Sequence, residues 1–321
     1  MATDVNTPYV SIVVIGRNEA KNLSSCIESI REMEYPQDRF EIIYVDTDSI
    51  DGSPDVAQSL GVKVCEEHSD FPSPGRARNR GWWDARYDIV HFVDGDMTVA
   101  PFYLIEAVKH LGMDNIACVI GRLEELGSAQ SFLSRILDYP WKFRKPGFVD
   151  APGAGGTFLR TALAEIGGYN PEILKGQETE LGLRLRACGY RILMIDHPMG
   201  VHDYQIDGLW DLWQRYAAIG RSFARTLQLP SSKSLSSEQR AARRSLFQGV
   251  IAICAGGAML LPGLWWVLLI SILLLGPYVV VRYWRPADLR SQRIPYFLLD
   301  YYFKPAVWFG MVRYFIAHRK P

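Results

Sequence analysis

Short apolar runs separated by polar, helix-compatible stretches dominate the first hundred residues. Val10–Ile15 (VSIVVI) is a β-branched run ended by Gly16-Arg-Asn-Glu19, and it predicts a buried strand followed by a helix over Lys21–Met33. Phe40–Val45 (FEIIYV) predicts a second strand, ending in Asp46-Thr-Asp-Ser, and Asp55–Leu60 a helix. Val62–Cys65 gives a third strand, Arg76–Arg86 a helix, and Ile89–Val93 (IVHFV) a fourth strand that runs into Asp94-Gly-Asp96. Strands alternating with helices imply βαβ units, hence an α/β domain with a mostly parallel sheet and helices on both faces. In such sheets ligands bind beyond the carboxyl ends of the strands, and each acidic cluster named so far stands at such an end.

Further along, Ala151–Gly156 (APGAGG) is a Gly-rich loop leading to a helix over Thr161–Ile166, and Glu178–Cys188 is a helix with Gly189 as its stop. The loop comes late and lacks the third glycine of a dinucleotide fingerprint. Leu246–Leu261 and Leu264–Val281 are two charge-free apolar stretches divided by Pro262-Gly263. The second, as a helix of about 27 Å, nearly matches the hydrocarbon thickness. Arg240, Arg243 and Arg244 precede the pair; Arg282, Arg285, Arg290 and Arg293 follow it. Positive charge on both flanks predicts a transmembrane or re-entrant hairpin with both ends in the cytosol. Pro295–Ala317 is aromatic-rich and predicts an interfacial helix. The expected organisation is a cytosolic domain over 1–230, a basic linker over 231–245, the hairpin over 246–282 and the interfacial helix within 283–321.

Charge sharpens this division. The 321-residue chain is formally neutral, yet residues 231–321 hold 12 Lys and Arg against 3 Asp and Glu, a net +9. The remainder balances it at −9. Basic residues flank apolar segments, so a membrane partner is expected and a nucleic acid is not. Five scattered cysteines without a CxxC pair argue for a reducing compartment. Met1–Pro8 is polar, so no secretory leader is expected.

Asp94-Gly-Asp96 at a strand end is the strongest chemical signal. Two carboxylates two residues apart can share a hard divalent cation such as Mg²⁺ or Mn²⁺ and bridge it to a diphosphate. Alone, Asp-Gly-Asp is more often a turn. Several ordered blocks change that balance, and from Val10 to His202 the chain resembles family 2 glycosyltransferases of the GT-A fold. Ser11–Leu23 is similar to the family's opening strand and Asn-Glu turn, and Ile42–Ser53 to its base- and ribose-binding stretch. Gly75–Met97 resembles the ARN-x-G helix, strand and metal-binding DxD. Gly155–Asn170 is similar to the acceptor-pocket border, and Gly176–Tyr190 to the acidic segment that carries the general base.

The resemblance implies an inverting, metal-dependent transfer from a nucleotide-sugar donor. Asn18, Glu19, Asp46, Asp48, Arg76, Asn79 and Asp94 are its expected donor-binding residues, and Asp94, Asp96 and His202 its metal ligands. The general base aligns with Glu178, with Glu180 in reserve; both also suit the first turn of a helix, where acidic side chains are favoured. Arg76, Arg78 and Arg80 are candidates to steady phosphate, though helical spacing points them to different faces. Thr47 replaces an aspartate that binds uracil in some members, which leaves GDP-, dTDP- and UDP-sugars open. Gln177 replaces the glutamate before the base. A lipid-linked or membrane-surface acceptor fits an anchored enzyme best. The rival readings are a polyprenyl-phosphate sugar transferase and, from another class, a non-catalytic binding subunit of a membrane assembly.

Overall fold

The structure is a computed structural model that describes residues 7–125, 145–153, 155–202, 208–229, 236–260 and 303–318. The chain divides into two compact units, Met1–Gly127 with Pro140–Tyr204, and Ser128–Tyr139 with Gln205–Pro321.

The first unit is built on one nine-stranded sheet. Its elements are β1 (Val10–Gly16), α1 (Leu23–Arg31), β2 (Phe40–Asp46), α2 (Ser53–Ser59), β3 (Lys63–Glu66), α3 (Pro74–Asp84), β4 (Ile89–Asp94) and β5 (Met97–Val99). After them come α4 (Tyr103–Ala107), β6 (Ile116–Glu125), β7 (Gly147–Val149), β8 (Gly156–Leu159), α5 (Arg160–Ile166), α6 (Gln177–Ala187) and β9 (Arg191–His202). The strand order is β3-β2-β1-β4-β8-β6-β9-β5, with β7 pairing β9 from outside that path.

β1 lies between β2 and β4, parallel to both, and its apolar residues are buried throughout, as a continuous run with no polar face requires. The register sets Gly16 beside Asp46 and Ile15 beside Asp94, so the acidic ends of β2 and β4 finish level with the end of β1. The expectation of a mostly parallel sheet is corrected beyond β4. β8 pairs antiparallel with both β4 and β6, and β9 antiparallel with β5 and β7, so the sheet is mixed. Only two residues, Gly95 and Asp96, separate β4 from β5, yet the two strands lie four places apart in the ladder. A flat sheet would hold them about 19 Å apart, and three peptide links reach at most about 11 Å. The sheet therefore curls, and the Asp94–Asp96 turn closes it.

α3 begins at Ser73, whose Oγ accepts from the Arg76 backbone N–H at 3.2 Å, with Pro74 in the first turn. A Cβ on Gly81 would stand 2.1 Å from Val13 Cγ1, so only glycine lets this helix lie so close over β1. α6 ends as expected before Gly189, which adopts φ +85°.

The second unit contains α7 (Leu209–Gln228), α8 (Ser236–Leu260) and α9 (Lys304–Ala317). Leu212, Tyr216 and Ala224 pack with Phe303, Ala306, Val307 and Met311. A Cβ on Gly220 would lie 2.0 Å from the Val307 carbonyl oxygen, and one on Gly310 2.0 Å from that of Ala217, so α7 and α9 cross with backbones touching. α8 runs unbroken from within the expected basic linker into the first apolar stretch. Among the described residues no helix is long and apolar enough to cross a membrane, so the expected membrane helices are unsupported there. Leu264–Val281, the second half of the expected hairpin, lies outside the described residues. α9 covers the C-terminal part of the expected interfacial helix and buries Ala306, Val307, Gly310, Met311 and Tyr314.

Candidate active site

Three loops meet at the level carboxyl ends of β1, β2 and β4. Gly95 N–H donates to the Ile15 carbonyl at 2.8 Å and Thr47 N–H to the Gly16 carbonyl at 3.1 Å, stitching both neighbouring strand ends to β1. Asp46 is buried; it accepts from Tyr44 O–H at 3.0 Å and from Ser49 N–H at 2.9 Å, closing a turn after β2. Asn18 and Asp48 both adopt left-handed backbone, at φ +61° and +53°. Asn18 Oδ1 accepts from Ile50 N–H at 2.9 Å while its own N–H donates to Ser49 Oγ at 2.8 Å. Glu19 N–H donates to Ser53 Oγ at 2.8 Å, and the Glu19 side chain lies against Gly16 and Gly95. Asp51, absent from the expected site, accepts from Ala20 N–H at 2.9 Å and Ser53 N–H at 3.0 Å. Asp51 therefore ties the first loop to the second.

Asp48 also faces β3. The ring of His68 reaches Asp48 Oδ1 at 2.7 Å with Nδ1 and Glu66 Oε2 at 3.0 Å with Nε2. Hydrogen bonds to Asp48 and then Glu66 raise the His68 pKa above its ordinary value, and the same bond lowers that of Asp48. Asp48, His68, Ser69 and Asp70 line an open cavity of about 550 Å³.

The metal candidates converge. Antiparallel pairing of β5 with β9 sets His202 opposite Met97, one residue beyond Asp96. One ligand atom each from Asp94, Asp96 and His202 falls within 4.8 Å of the others, and His202 Nε2 stands 3.4 Å from Asp96 Oδ1. Two carboxylates and an imidazole suit an ion that takes oxygen and nitrogen together, which fits Mn²⁺ and also admits Mg²⁺. The donor set fits the expected divalent cofactor.

The remaining candidates separate sharply. Arg76 reaches Glu172 at 3.0 Å, at the edge of the site. Asn79 is buried with its amide committed to the chain, donating to the Tyr169 carbonyl at 2.8 Å and accepting from Tyr169 N–H at 2.8 Å and Trp82 Nε1–H at 3.1 Å. Its observed contacts clamp α3 to the segment before α6. Arg80 pairs with Asp84, a turn further along α3.

Arg78, one of the three arginines offered to steady phosphate, meets two carboxylates instead. Its guanidinium is buried, donates to Asp94 Oδ1 at 2.7 Å and stands 3.6 Å from Glu178 Oε1. Burial disfavours its charge, but Asp94 and, more weakly, Glu178 more than compensate, so its pKa lies above the ordinary arginine value. A carboxylate accepts on two oxygens, so Arg78 does not exhaust Asp94. Helical spacing had distinguished three arginines without choosing among them; α3's close seat on β1 makes the choice.

Glu178 and Glu180 also part company. Glu180 is almost fully enclosed and takes both arms of Arg184, at 2.8 Å from Nε and 2.6 Å from Nη2. Arg184 in turn donates to the Ile166 and Gly168 carbonyls. Glu178 is half-buried and, among the described residues, has only the looser contact with Arg78.

Comparison with known proteins agrees with this geometry. Residues 11–158 match the family described as glycosyl transferase family 2. The chain is 24% identical over 235 residues to the probable glycosyltransferase YdaM of Bacillus subtilis, covering 65% of this chain and 53% of that protein. It is 24% identical over 213 residues to the beta-monoglucosyldiacylglycerol synthase of Synechocystis, covering 61% and 44%. It thus spans about half the length of the curated relatives it matches. The fold is similar to that of the Pyrobaculum calidifontis mannosyltransferase PcManGT solved with GDP-Man and Mn²⁺, at TM-score 0.53 and 20% identity, over 98% of this chain and 86% of that one. Residues 11–158 are thus similar to glycosyl transferase family 2, and the curated relatives named here carry glycosyltransferase or glycolipid-synthase names.

Proposed function

We propose that this chain is an inverting, metal-dependent glycosyltransferase that moves a sugar from a nucleotide donor to an acceptor at a membrane surface. The observation that carries the reading is the convergence of Asp94, Asp96 and His202 at one end of the curled sheet, linked through Arg78 to Glu178.

The loops around Asn18, Asp46 and Asp48 would cradle the nucleoside, because they form the concave rim at the strand ends. Asp94, Asp96 and His202 would hold a divalent cation, which when bound neutralises negative charge on the leaving diphosphate. Glu178 would take the proton from the attacking acceptor hydroxyl. Its partial exposure and single loose ion pair support that role, since a base must reach both substrate and water. Glu180 is bound to Arg184 through both oxygens and almost fully enclosed, out of reach of an acceptor. The lipid side of the proposal draws on the Synechocystis relative, whose name places its product among glycosylated diacylglycerols. A polyprenyl-phosphate acceptor is the alternative within the same chemistry.

A panel of GDP-, UDP- and dTDP-sugars with Mn²⁺ tests the reading, run with diacylglycerol vesicles, polyprenyl-phosphate vesicles or a soluble sugar as acceptor. The expected result is release of one nucleoside diphosphate, stimulated by one of the vesicles and abolished by chelator. Equal activity in chelator would remove the metal from the mechanism. Stimulation by the soluble sugar alone would remove the membrane acceptor.

A further inference from the structure

Arg78 stands between the donor-side cluster and the proposed base without being open to either substrate. Its side chain is 3% exposed, and Nε and Nη1 are fully enclosed with no hydrogen-bond partner among the described residues. The Tyr169 ring packs against the guanidinium, 5.4 Å from its carbon to the ring centre. A cation sealed in this way acts through the groups it touches. Those groups are Asp94, at 2.7 Å from Nη2, and Glu178, at 3.6 Å from Nη1.

We propose that Arg78 is a positioning residue for the transfer step, with one planar guanidinium setting Asp94 and Glu178 relative to each other. This rests on the glycosyltransferase reading above and gives Arg78, there only the link between the metal cluster and the base, a role of its own. The two contacts leave from different nitrogens of one rigid group, so the positions of the two carboxylates are coupled. Lysine would bring the charge but not the fork, and its single ammonium cannot hold both partners in a fixed geometry. The contact to Glu178 is an ion pair without a tight hydrogen bond, in contrast to the two short bonds that fix Glu180 to Arg184. Attraction to the unfilled Nη1 draws Glu178 inward, because a buried donor without a partner is costly. The length of the contact leaves the carboxylate able to turn toward a hydroxyl. Glu178 is thus restrained without being immobilised, which is what a base needs.

The test uses the full chain as wild type, Arg78→Lys, Arg78→Gln, Glu178→Gln and the Arg78→Lys/Glu178→Gln double variant. Three quantities are measured: thermal melting, binding of GDP and UDP with Mn²⁺ by calorimetry, and nucleoside diphosphate release from sugar nucleotides with water as acceptor. Arg78→Lys should fold, bind nucleoside diphosphate within about tenfold of wild type and lose about a hundredfold in turnover, the usual share of a general base. In the Glu178→Gln background the same substitution should cost less than about threefold, because residues acting as a unit are not additive. Equal losses in both backgrounds would mean that Arg78 is a strut of the fold and would overturn the proposal. Unchanged turnover in Arg78→Lys, or failure of both Arg78 variants to fold, would overturn it too. If the wild type binds neither nucleotide and hydrolyses no sugar nucleotide, the glycosyltransferase reading itself fails and takes this one with it. Loss confined to the variants is decided by the additivity comparison.

Discussion

Glu178 and Glu180 sit two residues apart on the first turn of α6, yet their surroundings differ sharply. Glu178→Gln keeps size and one acceptor oxygen but cannot take a proton. Its turnover should fall by at least about a hundredfold while nucleoside diphosphate affinity stays near wild type, because the lost interaction belongs to the transition state. Glu180→Gln breaks an enclosed pair and strands part of Arg184. It should lower stability by about 3 kcal/mol, the low end for removing one partner of a buried ion pair, as read by denaturant unfolding. If Glu180→Gln instead left stability intact and abolished turnover, the two assignments would be reversed. The sequence offers both residues as the base, and the Glu180–Arg184 pair stands at the i,i+4 spacing that a helix brings together, so that contact has a local signature. Asp51 and the partners of Arg78 are a different case. Asp51 meets Ala20 across 31 positions, and Arg78 meets Glu178 across a hundred, so neither contact has a local signature.

At the scale of elements, β1, β2, β3 and β4 were legible because each is a short apolar run closed by a polar turn. The antiparallel part of the sheet was not. β5 has only three residues, and β9 carries Asp196 and Pro198 inside its span, which count against a strand when read locally. β6 pairs with β9 through register irregularities around Ile120 and Arg122. Such strands are held by their neighbours more than by their own pattern, and the position of His202 depends on them. His91 on β4 gives this part of the sheet a measurable property. It is fully buried, with Nδ1 3.2 Å from the Gly156 carbonyl on β8, and burial lowers its pKa to about 4. The unfolded chain binds this proton near pH 6.5 and the folded chain only near 4, so between these values the unfolded state holds more protons. Stability should therefore fall as the pH drops from about 6.5 to about 4, by about 3 kcal/mol from this group, and level off below. Denaturant titrations at pH 7 and pH 4.5 should show a smaller loss in His91→Gln than in wild type. An equal loss in both proteins would show that His91 does not carry the effect.

For the whole molecule, the decisive feature is that each unit has its own core. One core gathers residues from Val10 to Met199; the other joins Leu212, Tyr216 and Ala224 of α7 to Phe303, Val307 and Met311 near α9. Apolar stretches and arginine flanks pointed the sequence reading to a border at Leu246. That position lies inside the continuous helix α8, and a cut there also removes α9. A chain of residues 1–245 would keep α7 while losing the helix that touches it backbone to backbone. Tyr216 and Leu212 would then face water, at about 1.5–3 kcal/mol for each large side chain left exposed. Such a patch promotes association. A chain of residues 1–204 keeps every residue of the first core together with Asp94, Asp96, Glu178 and His202. The expected outcome is that 1–204 elutes as a monomer, melts in a single transition and binds nucleoside diphosphate with Mn²⁺, whereas 1–245 elutes as aggregate. Size-exclusion chromatography and thermal melting of the two truncations decide it. If 1–245 proves as well behaved as 1–204, α7 does not need α9, and the border suggested by the apolar pattern is the working one after all.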